Sequence, residues 1–118
     1  MMHHSLLAIL LAAGLATGFS VPGHAASKAG SSGGSAEKGK VVYKRHCAGC
    51  HGPQGGADGY RILGNQPADL TTRSTRQKSD AELLTTIHEG KPNMPVWKNL
   101  LSEQQIVDVL AYVRTLVR

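Results

Sequence analysis

Cys47-Ala48-Gly49-Cys50-His51 is the stretch that decides the fold of this 118-residue chain. In a helical conformation, Cys50 and His51 follow Cys47 by three and four residues, so both thiols and the imidazole lie on one face of a single turn. Ala48 and Gly49 keep that turn small. The spacing therefore predicts that one flat ligand contacts all three functional side chains.

This C-x-x-C-H spacing is the attachment signature of a covalently held c-type haem. The thiols of Cys47 and Cys50 would form thioethers with the two porphyrin vinyl groups, and the imidazole of His51 would reach the iron as its proximal ligand. The sequence contains one such run and no internal repeat, so we expect one haem c per chain.

Haem attachment competes with three alternative roles for the motif. A structural disulfide or a thioredoxin-like dithiol would need a preceding strand and a βαβ context, and no convincing strand precedes Cys47. A zinc site needs four ligands, and His46 and His88 are the remaining plausible histidines. The third alternative is a chance match. An export signal upstream and a suitable iron ligand downstream favour haem.

The chain begins with the layout of a secretory signal peptide. An apolar run from Leu6 to Phe19 is followed by small residues that predict cleavage after Ala25, with Ala26 as the near alternative. No Lys or Arg precedes the run, so an uncleaved membrane anchor stays open, although the run is shorter than a span needs. We expect a signal peptide over residues 1–25 and a periplasmic mature protein.

A Ser- and Gly-rich stretch, residues 26–35, predicts a flexible linker before a single domain over residues 36–118. About eighty residues bury only a marginal apolar core, which a large flat cofactor would enlarge. The formal net charge is +5. Export and the lack of aromatics interleaved with basic residues argue against nucleic acid, so an acidic protein partner fits better, unless the charge only keeps the domain soluble.

Three helices are predicted, which makes the fold all-α. The first runs from Ala36 to Cys47, where Gly39, Tyr43 and Cys47 recur every four residues. The last opens at Ser102 with a capping box. Its core-facing positions are Ile106, Val109, Leu110, Val113, Leu116 and Val117.

The middle helix is predicted to start at Ser79, where Glu82 completes a second capping box, and to stop at Gly90. The segment between His51 and Lys78 is rich in turn-forming residues and lacks period-two alternation. We therefore expect a loop there, with a helical turn at most.

Met94 is the candidate second iron ligand, because it is the one methionine left after removal of the leader. Pro92 and Pro95 stiffen its loop on both sides. Methionine opposite histidine favours the reduced iron and raises its potential. The alternatives are that Met94 fills a core gap or that His88 is the sixth ligand.

Three aromatic or imidazole side chains lie near these candidates in the sequence. His46 adjoins Cys47, so we expect its ring to project away from the haem face. Trp97 and Tyr60 are candidates to line the pocket, although a lone aromatic is more often ordinary core.

Through CAGCH, the GKPNMP loop and the terminal LSEQQIVDVLAYVRTL helix, residues 36–118 resemble the class I c-type cytochromes. The resemblance implies a small cytochrome c fold, with crossing N- and C-terminal helices and loops wrapped around one covalent haem. It implies that Cys47 and Cys50 carry the thioether links. It also implies that His51 and Met94 are the axial metal ligands.

The resemblance further implies that Gly39 and Tyr43 cross the terminal helix at Val109 and Tyr112, with Val109 in place of the more usual leucine. The family uses a proline carbonyl to orient the proximal imidazole. Pro67 in QPADLT is the best match to that proline, and Pro53 is the second choice.

Saturated coordination of the iron predicts a one-electron carrier rather than an enzyme. Two alternatives stay open: an electron-transfer subunit of a dehydrogenase or oxidase, and a haem enzyme with peroxidase-like or gas-binding activity if Met94 detaches. We expect a monomer without stable membrane insertion after cleavage, and transient redox protein partners with an acidic docking surface. The basic residues that could steer such partners are Lys44, Arg45, Lys91 and Lys98.

Overall fold

The computed structural model describes residues 33–116 and 118. This part folds into helices α1 (Ala36–His46), α2 (Ala48–His51), α3 (Arg73–Gln77), α4 (Asp80–Glu89) and α5 (Glu103–Leu116), with a 3-10 turn over Trp97–Asn99. Pairing of extended backbone in the same residues is limited to two isolated bridges, Ile62 with Asn65 and Lys91 with Met94. The all-α prediction is confirmed. None of these helices is both long and apolar enough to cross a membrane.

Three predictions fall wholly or largely outside the described residues: the leader over residues 1–25, the linker over residues 26–35 up to Ser32, and the core position Val117. The end of the predicted linker is described. There the side chain of Ser35 accepts a hydrogen bond from the backbone N–H of Lys38 at 3.3 Å and so caps the start of α1. The chain is thus already ordered one residue before the helix.

Helix α1 crosses α5, as the family resemblance implied. Gly39 is required at the crossing, because a Cβ there would collide with the backbone carbonyl of Asp108. One turn later, the rings of Tyr43 and Tyr112 lie 5.2 Å apart at 58°. Val109 is 1 % exposed at the same crossing. The absence of a side chain at Gly39 is therefore what lets the two backbones approach.

One apolar core lies between α1, α5 and the 3-10 turn. Its buried members are Val42, Tyr43, Trp97, Leu101, Ile106, Val109 and Val113. Full burial of a side chain such as Ile106 contributes about 1.5–3 kcal/mol relative to exposure. The core is small, as expected for a domain of this length.

Local capping signals place the remaining long helices as predicted. Ser79 and Glu82 form both bonds of a capping box at the start of α4, which ends at Gly90. Ser102 and Gln105 do the same before α5, with bonds of 2.9 and 3.3 Å. Arg114 then binds Asp80 at 2.6 Å, which joins α5 to the start of α4. These contacts hold α4, and the loop that follows it, against the terminal helix.

Candidate cofactor site

The C-x-x-C-H run forms a helical turn directly after α1. The backbone N–H groups of Cys50 and His51 both donate to the carbonyl of Cys47, at 3.2 and 3.0 Å. All three functional residues are half-buried, and both thiols are free. Gly49 is exposed, with open space where a side chain would begin. The backbone therefore has the helical conformation that places both thiols and the imidazole on one face.

His51 is held by a hydrogen bond from its ring to the far side of the following loop. Its Nδ1 lies 2.9 Å from the backbone carbonyl oxygen of Ala68. A carbonyl oxygen only accepts, so Nδ1 must carry a proton, and in the neutral imidazole this arrangement leaves the lone pair on Nε2. This is the tautomer that histidine uses as a metal ligand when a second group fixes its ring.

The predicted source of this carbonyl was wrong. The acceptor belongs to Ala68, and neither Pro67 nor Pro53 supplies it. Every residue carries a backbone carbonyl, so residue type does not mark the one that accepts. The path of the loop decides it, and that path is fixed where the N–H of Leu70 donates to the carbonyl of Gly55 at 2.7 Å.

The thiol environment differs from that of a reactive dithiol. Burial, with Cys50 adding in the same direction, raises the pKa of the Cys47 thiol to about 11. Redox-active dithiols and thiolate ligands depend on a lowered pKa. A helix, α1, also precedes the motif where a thioredoxin-like site would have a strand. Within the described residues, no three His, Cys, Asp or Glu side chains gather as a metal-ion site.

The loop after the motif folds back onto it. The N–H of Ala57 donates to the carbonyl of His51 at 2.9 Å, and the N–H of Tyr60 donates to that of Gly49 at 2.7 Å. Gly59 packs so closely that a Cβ would collide with the carbonyls of Gly49 and Cys50. The turn is thus supported from behind by backbone.

Tyr43 joins this support to the α1–α5 crossing. Its hydroxyl donates a buried hydrogen bond of 2.7 Å to the carbonyl of Gly52, the residue directly after His51. Burial raises the pKa of Tyr43, with smaller contributions from Cys47, Tyr112 and Asp58, so the hydroxyl stays a donor at neutral pH. The position of His51 therefore depends on the packing of the helices.

Met94 lies in a short loop between α4 and the 3-10 turn. Its N–H donates to the carbonyl of Lys91 at 2.9 Å, and the N–H of Lys91 donates back at 3.1 Å. The loop begins at Gly90, where the φ of 69° favours glycine. A Cβ added at this position would collide with the carbonyls of Met94 and Pro95. The side chain of Met94 is half-buried against the core. Its role as an iron ligand stays a prediction.

The neighbouring imidazole and aromatic side chains have different contacts. Nε2 of His88 lies 3.0 Å from a carboxylate oxygen of Glu103 on α5. The ring of His46 packs edge-on against Trp97, with centroids 5.6 Å apart, and Trp97 is itself part of the core. Tyr60 is 72 % exposed. Among these residues, only Trp97 is buried.

The residues present fit a covalently held haem. The attachment turn offers two free thiols and an imidazole with an available Nε2. Apolar side chains that are only partly buried pack against the core and leave apolar surface uncovered, as a flat apolar group requires. They include Leu70, Leu84, Ile87 and Met94.

Two contributors to this arrangement could not be identified from the sequence as supports of His51. The carbonyl of Ala68 carries no residue-type signal at all. The contact of Gly59 with the attachment turn had one weak signal, the repeated glycines of GPQGGADG, which indicate tight turns or close approaches. That signal does not say which backbone approaches.

Comparisons with known proteins find cytochromes among the proteins that this chain resembles. The family model for "cytochrome C oxidase, cbb3-type, subunit III" matches residues 34–113. A cytochrome c6-like protein from Nostoc sp. is 35% identical over 77 residues, which cover 64% of this chain and 65% of that protein. A cytochrome c6 from Bryopsis maxima is 33% identical over 82 residues, covering 69% and 91%.

Two further similarities are to larger proteins. The CcoP subunit of a cbb3-type cytochrome c oxidase from Azospirillum brasilense is 35% identical over 85 residues, covering 69% of this chain and 28% of that one. A chain of the Kuenenia stuttgartiensis reducing HAO-like protein complex superposes with a TM-score of 0.58 at 32% identity, covering 69% and 42%. The chain thus spans just under two thirds of the Nostoc relative and about a quarter of CcoP. With the motif and the helical fold, these matches show that the chain belongs to the class I c-type cytochromes, small monohaem proteins that carry one covalent haem c.

Proposed function

We propose that this chain is an exported one-electron carrier. Cys47 and Cys50 attach the haem, and His51 and Met94 are the axial ligands of its iron. The observation that carries the proposal is the hydrogen bond from Nδ1 of His51 to the carbonyl of Ala68, because it leaves Nε2 free for a metal. When bound, the haem supplies a reversible one-electron change at its iron.

The residues of the chain supply orientation and rigidity. The Ala68 carbonyl fixes the ring of His51, and the backbone bonds from Ala57 and Tyr60 fix the turn that carries it. The paired bonds between Lys91 and Met94 hold the candidate thioether ligand. A ligand set that is fixed on both sides changes little between oxidation states, which suits a carrier.

The chain is proposed to perform no substrate chemistry, because two protein ligands would fill both axial positions. Carbon monoxide is the probe. We expect the reduced protein to resist carbon monoxide at neutral pH, and Met94→Ala, the matched variant with an open position, to bind it. Ready binding by the wild type would instead support a peroxidase-like or gas-binding enzyme.

The decisive experiment is production of the full chain with its leader in a host that matures c-type cytochromes. We expect sharp absorption bands after dithionite reduction, haem stain that survives a denaturing gel, and an intact mass of the polypeptide from residue 26 plus one haem. The matched control is Cys47→Ser/Cys50→Ser, which should lose the covalent haem. A bare polypeptide mass, or a disulfide or zinc in place of haem, would refute the proposal.

The same material tests compartment and assembly. We propose that the leader is cleaved after Ala25, that the mature protein is periplasmic, and that it is a monomer with transient redox protein partners. Fractionation of the producing cells should place the haem-stained band in the periplasm. Recovery of the band in the membrane fraction with residues 1–25 retained would support the anchored alternative.

The second candidate function is an electron-transfer subunit of a larger oxidase or dehydrogenase complex. It is favoured by the family model, whose description names an oxidase subunit, and by the match to CcoP. Size-exclusion chromatography of a gentle extract from the source cells separates the two candidates. A free carrier elutes as a small haem protein, whereas a subunit co-elutes with the larger complex.

A further inference from the structure

The carbonyl that orients His51 is followed in the chain by a residue that is held at both its side chain and its backbone. Ala68 itself is exposed, so packing of its side chain does not fix its carbonyl oxygen 2.9 Å from Nδ1 of His51. The next residue is Asp69, whose carboxylate accepts from the backbone N–H and the hydroxyl of Thr71, at 2.8 and 2.6 Å. The peptide that joins Ala68 to Asp69 is therefore anchored from its C-terminal side.

Thr75 is the buried contributor to this anchor. The backbone carbonyl of Asp69 accepts from the hydroxyls of Thr72 and Thr75, both at 3.2 Å. Thr72 is exposed, so water can take the place of its hydroxyl, whereas Thr75 is only 6 % exposed. Loss of the Thr75 hydroxyl would therefore leave the buried side of the Asp69 carbonyl without a donor.

The helix that carries Thr75 is held in turn by a guanidinium from α5. Helix α3 has five residues, too few to be stable alone. Nη1 of Arg114 donates to the carbonyls of Thr75 and Arg76 near the end of α3, at 3.2 and 3.4 Å. Nη2 donates to the carbonyl of Lys78 at 2.6 Å and to Asp80 at 2.6 Å, and Nε donates to Asp80 at 2.8 Å. All five N–H groups of the guanidinium are thus used.

We propose that Thr75 and Arg114 are positioning residues for the ring of His51. They act through the peptide that joins Ala68 to Asp69, whose carbonyl accepts from Nδ1. The proposal rests on the proposed carrier function, because the property that these residues set is the reduction potential of the iron bound by His51.

The direction of the effect follows from the chemistry of the imidazole. A hydrogen bond from Nδ1 of His51 to a fixed carbonyl makes Nε2 a stronger electron donor. A stronger donor favours ferric over ferrous iron and so lowers the reduction potential. A carbonyl that is free to move away weakens the hydrogen bond, and the potential rises.

The first test is the reduction potential of the full chain in its haem-loaded form. Thr75→Val removes the hydroxyl and leaves a side chain of similar size. We expect the equilibrium constant for reduction to increase about threefold, which is a rise of about 30 mV for a one-electron couple. Thr75→Ser removes the methyl group but retains the hydroxyl. It should keep the wild-type potential, even though denaturant titration should show that it too has lost stability.

The second test follows the hydrogen bond itself. In the reduced protein labelled with nitrogen-15, the proton on Nδ1 of His51 exchanges with water only when the bond to the Ala68 carbonyl opens. We expect this exchange to be about threefold or more faster in Thr75→Val than in Thr75→Ser.

Arg114→Lys tests the other end of the network and keeps the positive charge. Lysine lacks the planar fork that serves several acceptors at once, so the potential should rise, by less than in Thr75→Val. One matched control is Arg73→Lys, the same change at an exposed residue of α3. The other is Thr85→Val, which deletes a hydroxyl that donates to the carbonyl of Ala81 on α4 at 2.8 Å. Both controls should keep the wild-type potential.

Equal shifts of the potential in Thr75→Val and Thr75→Ser would overturn the proposal, because packing rather than the hydroxyl would then set the potential. A control that shifts as much as its matched variant would overturn it as well. If Thr75→Val yields no folded haem protein, Arg114→Lys decides, and an unchanged potential in that variant overturns the proposal.

The absorption spectrum of the wild type separates the two levels of inference. A wild type without haem bands refutes the carrier function and the positioning role together. Normal haem bands with the same potential in the wild type, Thr75→Val and Arg114→Lys refute only the positioning role.

Discussion

His51 is held by residues far apart in the chain, whereas Met94 is held by its own loop. The ring of His51 binds the carbonyl of Ala68, and the residue after it accepts from Tyr43 on α1. Met94 is held by a two-bond exchange with Lys91, three residues earlier. The difference teaches that the proximal side depends on the whole fold, while the distal side can loosen without unfolding the rest.

The largest effect should come from His51→Ala. It removes the proposed proximal ligand and the hydrogen bond to Ala68 at 2.9 Å. We expect little or no mature haem protein, measured as haem-stained band per unit of polypeptide. A normal haem yield and spectrum in His51→Ala would contradict the proposed difference between the proximal side at His51 and the distal side at Met94.

Gly90→Ala should weaken the hold on Met94 and should have a smaller effect than His51→Ala. The new methyl group would meet the carbonyls of Met94 and Pro95, and the φ of 69° disfavours alanine. We expect a loss of about 3 kcal/mol in the free energy of unfolding, with weakened Met94 ligation in the spectrum. Denaturant titration of the haem-loaded protein measures the first quantity.

The control for Gly90→Ala is Gly64→Ala, which has a φ of 79° but open space around the added methyl group. This variant tests backbone strain alone, and we expect it to lower the free energy of unfolding by about 1 kcal/mol. If both variants lost the same free energy of unfolding, the close approach of Gly90 to Met94 and Pro95 would make no contribution to stability.

Met94→Ala should keep the haem but free one axial position. The thiols and His51 are untouched, so covalent attachment and folding should survive with a loss of about 2 kcal/mol from the half-buried side chain. The expected readouts are a changed ligand-field spectrum and a lower reduction potential. An unchanged spectrum would show that Met94 is not the ligand and would return His88 to consideration.

Tyr43→Phe should have the smallest effect. It deletes the 2.7 Å hydrogen bond to the Gly52 carbonyl and should cost about 1 kcal/mol at neutral pH. Burial raises the pKa of Tyr43 above the usual 10.0, so folding favours the protonated hydroxyl. The stabilisation of the folded state by the protonated hydroxyl is fully present below pH 10. It is lost as the pH rises above 10, because the tyrosine of the unfolded chain ionises first.

Unfolding followed from neutral to strongly alkaline pH is the measurement for Tyr43→Phe. The wild type should lose stability more steeply than the variant above pH 10, the usual tyrosine pKa. Parallel pH profiles would show that the hydroxyl does not couple the helix crossing to the attachment turn.

Local chemistry made much of this protein predictable from its sequence. The capping boxes at Ser79 and Ser102 and the stop at Gly90 involve residues three to four apart or a single backbone preference, and all are present in the structure. The spacing of Cys47, Cys50 and His51 works in the same way, because one helical turn brings those positions together. Such signals need no knowledge of the rest of the chain.

Only the tertiary structure decided which distant groups contact the attachment turn and the helices. The carbonyl of Ala68 meets His51 across 17 positions of sequence, and Ser35 donates to Asp108 across 73. One member of each pair, the carbonyl of Ala68 and the N–H of Ser35, is a backbone group, which has the same chemistry in every residue and so is not marked in the sequence. The sequence by itself thus determined the attachment turn and the three long helices α1, α4 and α5, whereas α3 lies in the segment that was predicted to be a loop with a helical turn at most. The folded chain selected the groups that orient the turn, since these depend on how distant segments pass one another.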